Sequence, residues 1–376
     1  MKIICKQESL IKALNIVSKA ISTTSTLEIT RGILIKTEGD MSISLSATDI
    51  QMAITTKISA IANEHGGVVV NARLFMDLVR KLPKGDIVIQ TNEKREINIT
   101  TASSDYKLQG IEEKEFPRIE TEDEVEVIKI EKAALREMIE GTCFAASIDE
   151  TRGIIVGTLL EINDKEITMV ALDGYRVGIR REENTNKDNK ETKIVIPAKM
   201  LREAGKIVSD SELGEEEEIK IEIAEAKVKV YTENTCIRMN LLEGDFIKYR
   251  DIIPKEHKLS ISVERAELLS CVERAAMLRS DGKNAFVRFS INETEMVISS
   301  RAEEGQGKET VKIINNGENL EIGFDAKFII EGLKAINDEE ITMFFNTSVS
   351  PCLIKPIEGN KFEYLVLPVR LSTIPV

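Results

Sequence analysis

The chain has 376 residues, of which 42% are hydrophobic, so it is long and apolar enough for two or three folded domains. Its net charge of −13 and its 4% aromatic content, with no Trp, argue against a single-strand nucleic-acid binder that stacks bases on aromatic rings. The five Cys stand singly, and no run approaches the roughly 18 apolar residues of a membrane span. We expect the N-terminal residues to be part of the fold rather than a signal peptide. We therefore expect a cytoplasmic protein.

One unit of strands and helices recurs three times along the chain. A strand-like run followed by an amphipathic helix occupies residues 1–22, 126–147 and 258–280. A second strand and helix begin at Val68, Ile194 and Leu320, with Ala72, Ala198 and Ala326 at the helix starts. Segments with period-two alternation predict antiparallel strands with one buried face; they are 41–50, 86–91, 166–179, 219–231, 295–302 and 340–348.

The repeats predict an α+β fold of three pseudo-repeated domains, each with two helices and antiparallel sheets. We place the domains at 1–124, 125–254 and 255–376, with a boundary in the acidic stretch 120–126. The polar segment 182–191 is expected to be a loop inside the second domain.

Basic residues recur on the polar faces of the predicted helices. In the first helix Lys12 and Lys19 oppose an apolar stripe of Leu10, Leu14, Val17 and Ile21. In the second, Arg73 and Arg80 oppose a predicted buried set of Leu74, Phe75, Leu78 and Leu82. The later helices carry Lys132, Arg136, Lys199, Arg202, Lys206, Lys327 and Lys334.

Each such face alone is ordinary solvated surface, but a repeat would bring several of them onto one surface. An acidic chain with one basic surface suits sequence-independent contact with the phosphates of duplex DNA.

The sequence offers no arrangement of residues typical of an enzyme. GQGK at 305–308 lacks the spacing of a phosphate-binding loop and is expected to be a Gly-rich hairpin loop. His65 and His257 stand far apart, and Asp49 and Asp173 fit turn positions better than a catalytic pair. We expect a non-enzymatic protein without metal or cofactor.

Four motifs together resemble the beta subunit of bacterial DNA polymerase III, the DNA sliding clamp. They are VALDGYRVGI at 170–179, FIKYRDIIP at 246–254, EIGFDAKFIIEGLKAI at 321–336 with NTSVSP at 346–351, and YLVLPVRL at 364–371. The resemblance runs through all three repeats. It implies the DNA clamp fold, closed into a ring as a head-to-tail homodimer that encircles duplex DNA and tethers DNA polymerase as a processivity factor.

The resemblance also implies two sets of contact residues. Tyr106 and Leu108 match one side of the dimer contact, and Met277 and Leu278 match the other. A cleft for short linear motifs of polymerase subunits, the clamp loader and repair proteins is matched by Ile155, Leu172, Gly174, Tyr175, Arg176, Val177, Ile247, Ile252, Phe328, Val349, Pro351, Leu365, Val366, Leu367, Pro368, Val369, Arg370 and Leu371. Arg176 and Arg370 are expected to donate to the bound peptide. By itself YLVLPVRL fits equally well an edge strand that completes the third domain.

Several positions depart from the family pattern and suggest a divergent or second copy. The usual TDGHR is LDGYR here, and Asp251 stands where a basic residue is usual. Thr24, Asp149, Gly153 and Ile154 replace residues that commonly contact DNA, and STIPV at 372–376 extends past the usual end. The alternative is therefore a clamp-fold paralogue that acts only as a protein-interaction module.

Overall fold

The computed structural model describes residues 1–22, 27–117, 125–186, 191–278, 285–303 and 305–371. The chain divides into two compact units, Met1–Ala133 with Glu203–Leu241, and Ala134–Arg202 with Leu242–Val376. Within the described ranges, no helix is both long and apolar enough to cross a membrane. Thr24, the stretches 118–124 and 187–190, and the terminal 372–376 lie outside the described residues, so the expectations placed on them stay expectations.

The three repeats appear as three series of helices and strands in the same order. The first contains β1 (Lys2–Lys6), α1 (Gln7–Val17), β2 (Gly32–Thr37), β3 (Ser42–Thr48), β4 (Met52–Ser59), β5 (Ile61–Glu64), β6 (Gly67–Asn71), α2 (Ala72–Lys81), β7 (Asp86–Thr91), β8 (Glu96–Thr100), β9 (Asp105–Gln109) and β10 (Ile111–Glu112). The second contains β11 (Glu126–Glu131), α3 (Lys132–Thr142), β12 (Gly157–Ile162), β13 (Glu166–Leu172), β14 (Arg176–Glu183), β15 (Thr192–Pro197), α4 (Ala198–Ser209), β16 (Glu218–Ile223), β17 (Lys227–Tyr231) and β18 (Thr235–Asn240). The third contains β19 (Leu259–Glu264), α5 (Arg265–Ala275), β20 (Phe286–Ile291), β21 (Glu295–Ala302), β22 (Gly305–Lys312), β23 (Ile314–Asn316), β24 (Leu320–Asp325), α6 (Ala326–Lys334), β25 (Glu340–Phe345), β26 (Cys352–Pro356) and β27 (Phe362–Val366).

Local sequence accounts for these elements. Side-chain caps open two of the helices: Asn71 accepts the N–H of Leu74 at 3.1 Å before α2, and Asp325 accepts the N–H of Lys327 at 3.0 Å before α6. The strands alternate as expected, so that Ile341, Met343 and Phe345 of β25 are all buried.

Each unit contains two antiparallel sheets. In the first unit the strand orders are β5-β1-β7-β8-β9 and β10-β6-β2-β3-β4-β18-β17-β16-β11. In the second they are β15-β12-β13-β14-β27-β26-β25-β19-β23 and β22-β21-β20-β24. The predicted α+β class with antiparallel sheets and two helices per repeat is confirmed.

Each nine-stranded sheet joins strands of two neighbouring repeats, and it does so by one rule. The third strand after the first helix of one repeat pairs with the third strand after the second helix of the next repeat: β4 with β18, and β14 with β27. The backbone bonds at the ends of the two junctions also match, because the N–H of Asn240 donates to Gln51 at 2.9 Å and that of Leu367 donates to Tyr175 at 2.8 Å. The second repeat is therefore shared between the two compact units.

Three expectations about local structure are wrong. Leu74 is 53% exposed, because the helical period puts Ala72, Phe75 and Val79 on the buried face of α2. Lys19 lies in a 3-10 turn beyond the end of α1, so it does not share a helix face with Lys12. GQGK forms the start of β22, where Gly305 pairs with Ala302 of β21, rather than a loop.

The terminal motif is also placed differently from its edge-strand interpretation. Strand β27 pairs with β26 on one side and with β14 on the other, so it is an interior strand. Both faces of β27 are also covered, because Tyr364 and Val366 pack in one apolar cluster and Leu365 packs in another, which explains the unbroken apolar run of YLV. The motif thus joins the second repeat to the third.

Candidate functional site

The β14–β27 junction buries an apolar cluster on the sheet face opposite to Tyr364. Val177 faces Leu365 across the junction, and Leu353 of β26 faces Leu365 on its other side. These side chains pack with Ile155 and Leu172, and with Leu367, which is partly buried. We call the apolar surface around Ile155, Leu172, Val177, Leu365 and Leu367 the junction cleft.

A tight turn positions one end of the junction cleft. Asp173 Oδ1 accepts the N–H groups of Tyr175 at 2.9 Å and Arg176 at 3.1 Å, and Gly174 has a φ of 90° that favours glycine. Asp49 accepts the N–H of Met52 at 2.7 Å in the matching turn of the first repeat. The expectation that both Asp residues form turns is confirmed.

Arg176 holds this turn against the helices below it. Its Nε donates to Asp173 at 3.0 Å, its Nη2 donates to the carbonyl of Phe144 at 2.8 Å, and its Nη1 donates to Glu331 of α6. The side chain is only 6% exposed. The expectation that Arg176 donates to a bound peptide is therefore wrong, because the protein itself uses these donors.

An aromatic pair and the terminal segment form one wall of the cleft. Tyr175 is 57% exposed and stacks on Phe328 with ring centroids 6.1 Å apart. The terminal segment is fixed by the Leu367 bond to Tyr175 and by a bond from the N–H of Val369 to Gly323 at 2.9 Å. Val366 is buried, Pro368 and Leu371 are half-buried, and Arg370 is exposed.

The segment around the 3-10 turn Tyr249–Asp251 packs on the same apolar cluster through Tyr249, and its Ile247 and Ile252 are exposed. Glu161, buried in β12, anchors this segment: it accepts the hydroxyl of Tyr249 at 2.7 Å and pairs with Arg250 at 2.7 Å and Lys193 at 3.0 Å. Burial alone would raise the pKa of Glu161, but these donors lower it to about 2.

Glu161→Gln should destabilise the protein by about 1–3 kcal/mol at neutral pH, since it leaves the buried hydroxyl of Tyr249 without its charged acceptor. The pKa of Glu161 is lowered on folding, so its contribution is full above its ordinary pKa of 4.5 and is lost as the pH falls towards 2. Urea unfolding of both chains from pH 7 to pH 3 measures this. A stability difference that stays constant across the range would contradict the assignment.

The remaining predicted positions lie at the periphery. Val349 is exposed and Pro351 half-buried in the loop between β25 and β26, and neither belongs to the apolar cluster. The sequence reasoning also missed several cluster members, although alternation along β13 and β14 could have revealed Val170 beside Leu172 and Ile179 beside Val177. The missed members are Leu159, Val170, Ile179, Val195, Tyr249 and Leu353.

The first junction provides an internal comparison for the cleft. Its β3–β4 hairpin pairs Thr48 with Ala53 as the β13–β14 hairpin pairs Leu172 with Val177. Equivalent positions at the two junctions can be counted from these pairs. At the second junction they hold the apolar residues Val170, Leu172, Val177, Ile179, Leu353 and Leu365. At the first junction the same positions hold, in that order, Ser46, Thr48, Ala53, Thr55, Lys229 and Arg238. The two junctions therefore have the same strand pairing, but only the second has apolar side chains on this face of the sheet.

The predicted DNA-facing residues divide by exposure. Three of them are half-buried, namely Lys19, Arg136 and Arg202. The exposed ones are Lys12, Arg73, Arg80, Lys199, Lys206, Lys327 and Lys334. Lys132 is only 3% exposed and its Nζ donates to the carbonyls of Ser211 and Leu213 at 3.1 and 2.8 Å. Its assignment as a DNA-facing residue is wrong, because the loop after α4 encloses its ammonium group.

Several exposed basic residues have neighbours on the protein surface. Lys12 lies 3.6 Å from Glu212, Lys206 2.7 Å from Glu203, and Lys334 2.8 Å from Glu273. Such exposed pairs contribute little to stability, and they reduce the positive charge that the helices present.

The predicted dimer residues lie beside two sheet edges. Tyr106 is 45% exposed and Leu108 half-buried on β9, the last strand of the five-stranded sheet. Met277 is 79% exposed after α5, and Leu278 lies so close to Gly307 that a Cβ there would be 2.9 Å from its Cδ1. Gly307 belongs to β22, the last strand of the four-stranded sheet.

Three family models match consecutive parts of the chain. They describe the N-terminal, central and C-terminal domains of the DNA polymerase III beta subunit and cover residues 1–120, 129–248 and 250–370. The chain belongs to the DNA polymerase III beta subunit family.

Full-length relatives agree with this assignment. The beta sliding clamp of Staphylococcus epidermidis is 30% identical over 98% of this chain and 99% of its own length. A solved structure of a putative beta subunit from Eubacterium rectale is 31% identical with a TM-score of 0.93, covering 99% of this chain and 100% of that one. The Bacillus subtilis sliding clamp structure is 28% identical with a TM-score of 0.94, covering 98% and 99%. The predicted family, its clamp fold and its non-catalytic character are confirmed at this level.

Proposed function

We propose that the chain forms a ring that encircles duplex DNA and tethers DNA polymerase and other replication and repair proteins to it. The observation that carries this proposal is the apolar junction cleft in a full-length member of the clamp family. Its aliphatic walls suit an extended peptide with one or two large apolar side chains. The domain limits 1–124, 125–254 and 255–376 are part of the proposal and are supported by the ranges of the family models. A cytoplasmic location is also proposed, in keeping with five free cysteines.

The pairing rule within the chain supports a head-to-tail dimer. The rule pairs β4 with β18 and β14 with β27, which leaves β22 of the third repeat and β9 of the first at the ends of their sheets. Pairing β22 with the β9 of a second copy follows the same rule and makes a third nine-stranded sheet from four and five strands. Two such contacts close a ring and remove the exposed sheet edges.

The two internal junctions also predict the register of this contact. The hairpin pair Arg301–Gln306 corresponds to Leu172–Val177, and Thr100–Asp105 corresponds to Tyr231–Cys236. Since Cys236 faces Thr55, Asp105 should face Lys308 of the second copy. Tyr106 then faces Gly307, which repeats the pairing of Tyr364 with Gly178.

Reversing the charges of Asp105 and Lys308 tests this register of the dimer contact. Asp105→Lys or Lys308→Asp alone should weaken the dimer several-fold, because like charges would then face each other across paired strands. The double variant should regain most of the wild-type affinity, as measured by sedimentation equilibrium over a dilution series. If the double variant is weaker than either single variant, the register is different.

The exposed basic helix residues are proposed to contact the DNA backbone. Reversing the charge of Lys12, Arg73, Lys199 and Lys206 together should weaken DNA retention and reduce its salt dependence, irrespective of DNA sequence. The matched control is a variant with four charge reversals at exposed lysines on strands and turns, namely Lys57, Lys114, Lys129 and Lys220. Equal losses in the two variants would show that only total charge matters.

A clamp-fold module that binds proteins but not DNA is the second candidate. It is favoured by the acidic neighbours of Lys12, Lys206 and Lys334. Loading by a clamp loader onto nicked circular DNA, followed by linearisation, separates the candidates. Retention on circles and loss from linear DNA supports the ring, whereas no retention on circles supports the module.

A further inference from the structure

A cavity of 590 Å³ is lined in part by residues of the apolar cluster that forms the junction cleft, and Ile247 is also in its lining. Its apolar lining includes Leu159, Val195 and Phe246, and both Leu159 and Val195 belong to the same buried cluster that lines the cleft. Cavity and cleft therefore share part of one apolar cluster.

The charged side chains around the cavity balance each other. Lys193 and Arg250 pair with Glu161, and the remaining charged groups are Lys248, Asp245 and Asp251. Three positive and three negative groups give no net charge, so shape and apolar contact should decide what binds there.

The edge of β15 gives the cavity a backbone binding surface. The carbonyl of Val195 accepts the N–H of Leu242 at 2.8 Å, so the backbone groups of Val195 point away from β12. Backbone groups alternate along an antiparallel strand, so those of Lys193 point the same way. Within the described residues, no backbone hydrogen bond closes that side of Lys193.

We propose that this cavity is an accessory subsite for the residues that flank the bound motif, which pair as an extra strand with Lys193 and place one aliphatic side chain between Val195 and Ile247. The inference rests on the proposed function of the cleft. The occupant is an extended apolar segment of the same partner protein, because cavity and cleft share the cluster residues Leu159 and Val195 and a free strand edge adds a peptide through its main chain.

The test uses a Gln-Leu-x-Leu-Phe peptide, the kind of short linear motif that the family resemblance suggests, as the core peptide. It is compared with the same peptide extended by Thr-Leu-Thr at its N-terminus or at its C-terminus. One extended peptide should bind wild-type protein about ten-fold more tightly than the core peptide by fluorescence polarisation, since each 1.4 kcal/mol is ten-fold in affinity. This gain in affinity from the extension should persist in the Lys193→Ala variant and fall below about two-fold in the Lys193→Pro variant. Proline removes the outward N–H without breaking a bond to β12, and proline is tolerated at such edge positions. Both variants lose the same ion pair to Glu161, so they are matched.

Each outcome has a separate meaning. If the core peptide binds wild-type protein and neither extension improves its affinity, the accessory subsite is wrong and the proposed function stands. A gain that survives in Lys193→Pro, with both variants melting at similar temperatures, would overturn the strand-pairing geometry. If the core peptide does not bind at all, the proposed function and this inference both fail.

Discussion

Tyr106→Asp should convert the wild-type dimer into a monomer at micromolar concentration. In the proposed contact Tyr106 covers Gly307 of the partner beside Met277 and Leu278, and a carboxylate there would be buried without a partner, at a cost of several kcal/mol. The half-exposed position of Tyr106 in the single chain means that the substitution should leave the fold intact. Light scattering coupled to size exclusion measures the mass directly.

The choice of residue follows from the structure. Leu278→Asp would also give monomers, but Leu278 lies against Gly307 in its own chain, so its effect would mix folding with assembly. Ile61→Asp is the matched control, since Ile61 is an exposed apolar residue on β5 at the opposite edge of the same sheet. A Tyr106→Asp chain that remains dimeric would show that the contact lies elsewhere.

Leu367→Asp should reduce binding of the core peptide at least about a hundred-fold. A fully buried Leu or Phe anchor contributes roughly 1.5–3 kcal/mol, and a charge in the wall of its pocket both removes that contribution and must itself be desolvated. Leu367 is only partly buried in the apolar cluster, and its main chain is held by Tyr175, so the segment should keep its position. Isothermal titration gives the affinities.

Two further proteins complete this experiment. Ile357→Asp places the same charge on another exposed apolar side chain and should bind as wild type does. A chain that ends at Leu371 tests the terminal extension, and it should bind at least as tightly as the full chain. Binding that survives Leu367→Asp would place the peptide site elsewhere.

The sequence predicted the fold where residue patterns are local. The helices and most strands follow from period and from caps such as Asn71 and Asp325. The interior position of β27 could not be predicted in this way, because pairing with β14 joins residues almost two hundred positions apart.

The candidate site was predicted less completely for the same reason. Burial of Lys132 depends on carbonyl groups of a distant loop, and the use of Arg176 depends on Glu331 in the next repeat. Sequence spacing identifies a basic residue on a helix face, but not the acceptors that tertiary structure brings to it. Leu353 and Glu161 were missed because their roles appear only when neighbouring strands are aligned.

The interior position of β27 has a consequence for synthesis on the ribosome. Until β27 leaves the exit tunnel, β14 has a bare edge and Val177 lacks its cross-strand neighbour Leu365. An unfinished chain therefore carries an aggregation-prone edge through most of translation. It also lacks Leu365 and Leu367, so the apolar cluster of the proposed cleft is complete only after β27 has paired with β14.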